Sequence, residues 1–298
     1  HFLTPGTRYI VGAGVDATTG LLFVLPMLVL FVVFRLFPTL GAAGLSFTDY
    51  KISGQYSFVG VENYQKFVES DVARNALLTT LLYAAIYVPL IFVVALGVAL
   101  LLNRIVWGSG IFRGMMVLPY LTSFVLAGIM WTWIYSLSGP LNTLIGALGG
   151  GDIPFLSGPQ PLILGSLAVV SAWRGFGYSM LILLAGLKTI PSELHESAMI
   201  DGASSRQRLW RITLPLLRPS IFFVLVIETI AAFQVFDTIY VMTGGGPARA
   251  SYSLVYFLYD SGFKFLDFGY ASAVGVVLFL IVLVVSLVQR FVLERDAA

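Results

Sequence analysis

The chain has 298 residues, 58% of them hydrophobic and only 11% charged, with a mean hydropathy of +0.92. Soluble domains carry about 25% charged residues, so most of this surface is built to meet lipid or other apolar protein. A net charge of +2 gives no case for nucleic acid, zero cysteines exclude disulfides and thiol chemistry, and with His1 and His195 as its two histidines a histidine metal site is not expected.

Taken in chain order, six segments hold the ~20 apolar residues needed to cross ~30 Å of hydrocarbon. They are about Leu21–Phe47 (interrupted by Arg35 and Pro38), Asn75–Leu102, Met115–Tyr135, Leu162–Leu187, Leu216–Met242 and Phe268–Phe291. The stretch Leu21–Phe37 is too long for a signal-peptide core and lacks a cleavage site, so it reads as a retained span. Open sheets leave backbone groups unpaired in lipid, so all six are expected to be helical. The expected fold is all-α: one polytopic transmembrane domain over 1–298 with six helices.

Lysine and arginine placement sets the orientation. With the N-terminus inside, the cytoplasmic segments hold Arg8, Arg104, Arg113, Lys188, Arg206, Arg208, Arg211, Arg218, Arg290 and Arg295, against Lys51, Lys66, Arg74, Arg249 and Lys264 outside. Both termini are therefore expected in the cytoplasm. The outer segments are Asp49–Arg74, Ser136–Pro161 and Gly244–Asp267. Trp131, Trp133 and Tyr135 read as an interfacial aromatic belt, and Arg35 as a snorkelling structural residue.

The longest polar interval in the second half, 191–215, carries Glu193, His195, Glu196, Asp201, Arg206, Arg208 and Arg211 on the cytoplasmic side. Pro191 and Ser192 start a short helix, with Glu193 in its first turn where a negative charge suits the dipole. Leu194, Ala198 and Met199 share one face, with Glu196 and Ile200 off it. Gly202 is the natural stop, and Ser204 or Ser205 caps a second helix leading back to the membrane.

Within this interval stand Glu196-Ser197-Ala198, then Gly202, then Ile212-x-Leu214-Pro215. The series resembles the EAA motif of ATP-binding-cassette importer permeases, E-A-A-x3-G-x9-I-x-L-P, with matching spacing and Ser197 as the one departure. LSFTDY (45–50), FVGVENY (58–64), the LPY of the third span with GPLN (139–142), and FDTIYVMTGGGP (236–247) are similar to the sugar branch of that family, built like the maltose and glycerol-3-phosphate permeases. The last of these looks more like the first maltose-type permease than its partner. The resemblance implies the type I importer permease fold. It also implies as partners a second homologous permease subunit, two copies of a cytoplasmic ATPase and an extracytoplasmic solute-binding protein, in a bacterial or archaeal plasma membrane. The chain is then no enzyme and holds no cofactor, since ATP and Mg sit on the partner ATPase. Its own glycine runs lack the Lys-Ser/Thr of a phosphate loop. Leu194, Glu196, Ala198, Met199, Asp201 and Gly202 become the ATPase-coupling set.

Ionisable groups inside spans cost at least ~2.5 kcal/mol each and mark a path. Span four has Arg174, with Ser171, Gly175 and Tyr178 on the same face and Trp173 beside it. Span five has Glu228, Gln234 and Asp237. In the maltose-type family, sugar contacts come from these helices, and Arg174, Gly175, Tyr178 and Glu228 fall on or beside those positions. Charged groups here replace the family's neutral ones. Two readings stand: Arg174 and Glu228 form a structural ion pair between helices, or they flank the path and bond sugar hydroxyls while Trp173 or Tyr178 stacks on a sugar face. Asp237 reads as a gate or loop anchor. A glycerol phosphate is the alternative solute that an unpaired Arg174 would favour.

Two other classes compete. A membrane enzyme needs paired carboxylates or a metal cluster at a membrane face, and Asp49, Glu62, Asp71 and Asp152 are scattered. A proton-coupled transporter needs a carboxylate relay, for which only Glu228 and Asp237 could serve.

Overall fold

The computed structural model describes residues 13–52, 54, 56–104 and 108–294; Arg8, Arg295 and His1 lie outside them. Among the described residues the structure is helical, with two isolated bridges, Thr48–Phe58 and Lys51–Asp267, in place of strands. Four helices are long and apolar enough to cross a membrane, and two bent pairs raise the count to as many as six.

The first span joins α1 (Ala13–Phe31) to α2 (Phe37–Leu45) through a π turn at Val32–Leu36. Arg35 and Pro38, which interrupt the apolar run, fall within and just after this turn, and the span continues through them. Phe31 and Phe37 both keep helical dihedrals, because the widened turn absorbs the hydrogen bond that Pro38 cannot donate. The span is unburied along its apolar window.

After α3 (Glu62–Glu69) comes α4 (Asp71–Arg104), which pairs with α8 (Gln160–Lys188) in the most extensive interface of the molecule. Ala76, Ala84, Ala95 and Ala99 of α4 are buried beside Leu164, Leu167, Met180 and Leu183 of α8. Small side chains let two backbones approach where lipid offers no hydrophobic drive. The two helices run parallel: the Gln160 amide at the start of α8 donates to Thr79 Oγ1 (3.1 Å) near the start of α4.

The third span is not the continuous helix expected over Met115–Tyr135. It breaks into α5 (Ser109–Leu121) and α6 (Phe124–Ile134), bent by 91°. Pro119 removes one backbone donor, and Thr122 and Ser123 turn extended (ψ 146° and 137°). Gly177 of α8 sits against α5 so closely that a Cβ would lie 2.3 Å from the Met116 carbonyl oxygen and 3.0 Å from Val117 Cα. Both are backbone atoms, so Gly177→Ala is expected to destabilise the subunit by about 1–3 kcal/mol, read as a lower melting temperature in detergent. An unchanged melting curve would remove this contact from the account.

The segment 136–161 contains α7 (Pro140–Ala147). The aromatic belt is corrected: Trp133 is exposed, but Tyr135 is buried with its hydroxyl donating to the Ser166 carbonyl (3.3 Å), and Trp131 is half-buried against Trp173.

After α8 come α9 (Ser192–Ile200), α10 (Ser205–Arg208), a π turn at Leu209–Thr213, α11 (Leu214–Leu216) and α12 (Arg218–Phe233), with a 69° bend before α12. At 16 residues α12 is about 24 Å long, short of a full crossing. The fifth span therefore breaks at Gln234–Phe236 and continues as α13 (Asp237–Met242). The segment after it is not a plain loop either. It packs α14 (Leu254–Tyr259) and a π turn at Asp260–Lys264 into the core, with Leu254, Tyr256 and Phe257 buried, before α15 (Phe268–Glu294). The Leu254 amide donates to Thr80 Oγ1 (2.8 Å), tying it to α4.

The loop between α2 and α3 is pinned by side chains. Asn63 Nδ2 donates to the Ser46 and Thr48 carbonyls (2.9 and 2.8 Å), and Asp49 accepts from the Ser57 amide and hydroxyl. Those bonds hold the Asp49 carboxyl below its ordinary 3.8. A lowered carboxyl stabilises above its unfolded value and loses that stabilisation as pH falls through the folded one. Protection of the Ser57 amide against hydrogen exchange should thus be flat near neutrality and fall only below 3.8. A fall near pH 6 would contradict this.

Candidate functional site

Where the breaks of the third and fifth spans meet α4 and α8, the helices leave a cavity of about 330 Å³. That lies at the lower end of small-molecule sites. Broken spans expose backbone groups and end side chains that a continuous helix would hide, and irregular backbone at this depth is tolerated where it lines a cavity.

Glu228 of α12 forms one wall and is buried. A buried carboxylate needs donors, and it has two: the Tyr87 hydroxyl of α4 at 2.7 Å and the Ser179 hydroxyl of α8. Tyr87 stacks on Tyr83 with centroids 5.6 Å apart, which fixes the donor.

Arg174 of α8 forms the opposite wall. Its Nε donates to the Thr122 carbonyl (3.2 Å), freed by the break between α5 and α6. Its guanidinium lies 3.3 Å over the Phe124 ring and 5.5 Å from the Tyr120 ring centroid. Tyr120 in turn stacks on Tyr178 (5.4 Å). One arginine thus clamps both sides of the third span's break.

The two charged residues do not pair. No ion pair joins Arg174 to Glu228, so the reading of a structural salt bridge between them is corrected. The reason is depth: Glu228 is bonded at the level of Ser179, five positions or about 7.5 Å along α8 from Arg174.

Of the other path candidates, Ser171, Gly175, Tyr178, Gln234 and Asp237 line this cavity. Ser171 meets Thr238 at 3.2 Å, and Asp237 opens α13 at the mouth. Trp173 does not line it: its ring packs edge-on against Trp131 (5.6 Å). Missing from the sequence reading were Tyr83, Tyr87, Tyr120, Phe124 and Ser179. The i, i+4 spacing of Tyr83 and Tyr87, which puts two hydroxyls on one face of an apolar span, was the available signal.

The polar interval 191–215 lies at the other end of α8. Gly202 takes φ +77°, and the Ala203 amide returns to the Ala198 carbonyl (2.8 Å), closing α9. Ser204 caps α10 in a reciprocal box with Gln207 (3.3 and 2.8 Å). Glu196, Leu194 and Met199 are exposed and Ala198 is half-buried. Ile200, read as off the apolar face, is 87% exposed. Asp201 and Gly202 line a second hollow with Arg208 and Arg211.

Residues 75–295 match the family described as binding-protein-dependent transport system inner membrane component. The sn-glycerol-3-phosphate transport system permease protein UgpA of Agrobacterium fabrum is 36% identical over 282 residues, covering 92% of this chain and 94% of that protein. The trehalose/maltose transport system permease protein MalF of Thermococcus litoralis is 33% identical over 277 residues, covering 92% of each. In the crystal structure of a bacterial ABC transporter involved in import of the acidic polysaccharide alginate, one chain superposes with a TM-score of 0.81 at 23% identity, covering 95% of this chain and 98% of its own. That likeness shows the fold, an importer permease fold. A helical chain with broken spans around a polar cavity and 221 residues inside the matched segment belongs to the binding-protein-dependent transport system inner membrane component family: it is a membrane permease component of an importer.

Proposed function

We propose that this subunit passes a carbohydrate through the cavity between Arg174 and Glu228, in an importer completed by a second permease, two ATPase copies and an extracytoplasmic binding protein. The supporting observation is the cavity itself. The stacked Tyr120–Tyr178 pair offers ring faces for a sugar, and Arg174, Gln234 and Asp237 offer hydrogen-bonding groups at its edges. Ser171, Gly175 and Thr238 leave room beside them. ATP and Mg act on the ATPase, and 191–215 is the coupling loop within a single transmembrane domain whose two termini are cytoplasmic. The relatives named for glycerol phosphate and for trehalose and maltose agree with a polyhydroxylated solute.

A polyol phosphate is the second reading, favoured by Arg174 forming no ion pair with a carboxylate within 4 Å among the described residues. The test is uptake into proteoliposomes holding the whole importer and its binding protein. Labelled mono-, di- and oligosaccharides compete with glycerol 3-phosphate. Uptake of none of these, with ATP hydrolysis intact, would remove both readings.

Gly202 holds a left-handed backbone that a β-branched residue adopts only with strain of roughly 1–2 kcal/mol. Gly202→Val is expected to misalign α9 and α10, so that ATP is hydrolysed while uptake falls by an order of magnitude or more. Unchanged transport per ATP would count against the hinge.

A further inference from the structure

Arg174, Gln234 and Asp237 offer hydrogen bonds to a passing solute, and Glu228 is left without a task. Both of its oxygens are engaged: Oε2 accepts from the Tyr87 hydroxyl of α4 at 2.7 Å, and Oε1 from the Ser179 hydroxyl of α8. Buried and bonded in this way, it is poorly placed to receive a solute hydroxyl.

The two bonds join α12 to α4 and α8, yet a brace of this kind needs no charge. A glutamine would accept from one hydroxyl through its carbonyl and donate to the other through its amide. The neighbouring residue shows the neutral solution in use: Thr229 is tied to α15 by the Gln289 amide at 2.8 Å. An ionisable group inside a span is costly, so the charge itself asks for a function.

That charge is not cancelled nearby. Among the described residues no ion pair within 4 Å reaches Glu228. Arg174, the one cation among the described residues lining the cavity, is held on the opposite wall by the Thr122 carbonyl and the Phe124 ring. Asp237 adds a second carboxylate at the mouth. The lining therefore carries two negative groups against one positive, and the rest of the wall is uncharged. Fixed charge in a narrow cleft with low-dielectric walls acts on whatever enters, without touching it.

We propose that Glu228 is the charge filter of this cavity: its carboxylate sets a negative potential that admits neutral polyhydroxylated solutes and turns away anionic ones such as sugar phosphates. The inference rests on the reading above that the solute passes through this cavity, and it decides between the two solutes named there in favour of the neutral carbohydrate. Such selectivity comes from repelling the wrong solute, not from a contact with the right one. With the 330 Å³ cavity taken as roughly 8–9 Å wide, a unit charge on one wall at an effective dielectric constant of about 20 changes the local concentration of a monovalent ion by about 30-fold.

The chain has no cysteine, which makes the potential directly measurable. Ala231 lines the cavity one turn beyond Glu228 on α12. In the complete importer, with the cysteines of its other subunits replaced, Ala231→Cys is treated with the anionic sulfonatoethyl and the cationic trimethylammonioethyl methanethiosulfonates. Both reagents meet the same thiolate, so the ratio of anion to cation rates, normalised to a small free thiol, cancels the thiol's own reactivity. The ratio should lie about tenfold or more below one. Adding Glu228→Gln should raise it by about tenfold or more. Glu228→Asp keeps the charge while giving up part of the brace, and should leave the ratio within about twofold. Asp237→Asn should move it less than Glu228→Gln, because Asp237 is exposed and screened by solvent.

A ratio unchanged by Glu228→Gln would overturn the filter. So would a Glu228→Asp variant that moves as far as Glu228→Gln, since geometry and not charge would then be at work. Asp237→Asn moving the ratio as far as Glu228→Gln would overturn it too, by placing the filter at the mouth. In the proteoliposome assay above, wild-type uptake of glycerol 3-phosphate in preference to every neutral sugar would overturn the filter and leave the second reading standing. Uptake of none of those solutes, with the ratio still responding to Glu228→Gln, would remove the carbohydrate reading and leave the filter standing.

Discussion

Replacing Arg174 by alanine should abolish uptake while the subunit still assembles. The side chain makes one charge-assisted bond, to the Thr122 carbonyl, and stacks on Phe124. The bond is worth about 1.5–3 kcal/mol and the stack up to about 2 kcal/mol. Neither joins the main α4–α8 interface, so a modest drop in melting temperature is expected with normal membrane insertion. Transport should fall much further, by about 100-fold or more, because the clamp on the third span's break and the one cation among the described residues lining the cavity are lost together. Arg174→Lys should rescue little: an ammonium cannot donate to Thr122 and lie flat on Phe124 at once. Solute uptake by reconstituted importer, with ATPase activity measured in parallel, decides it. Uptake near wild type in Arg174→Ala would take Arg174 out of the path and leave it a local brace.

The second large effect is expected at α9. Met199 and Ile200 are 52% and 87% exposed on a helix whose companion Leu194 is 43% exposed. Fully burying such side chains against a partner is worth about 1.5–3 kcal/mol each, and an aspartate in that place would carry a charge into the contact. The double change Met199→Asp with Ile200→Asp should cut co-purification of the ATPase by about 100-fold, and Glu196→Lys should weaken it by reversing the rim charge. The chain's own fold should not notice, since none of the three is buried. An ATPase that still co-purifies stoichiometrically with the double variant would show that α9 is not the grip.

The polar interval 191–215 was largely legible in order of residues, because its signals are local. Pro191, Gly202 and Ser204 act through their own backbone and cap geometry, and those turned out as read. What it hid was which apolar residues stay uncovered. Ile200 lies just before the C-cap Asp201, where the helix ends, and helical periodicity loses its meaning there. The cavity was half legible. An ionisable group in an apolar span announces itself by cost, so Arg174 and Glu228 stood out, but periodicity within one helix says nothing about the depth at which two helices register. Hence their pairing was an open choice that the packing of α8 against α12 resolved against.

The sequence by itself determined the class of the protein: few charges, long apolar runs and alternating basic ends leave helices in a membrane as the one economical solution for the backbone. It also determined where the chain turns within 191–215, since proline, glycine and capping residues act over a few positions. Only the tertiary structure decided that the third and fifth spans break, that Tyr87 and Ser179 hold Glu228, that Trp173 turns away from the cavity, and that the segment after α13 packs a buried helix. Each of these depends on which backbone group lost in one helix is satisfied by a side chain from another. That matching couples residues as far as 174 positions apart, as in the Leu254 amide and Thr80, and no local pattern encodes it.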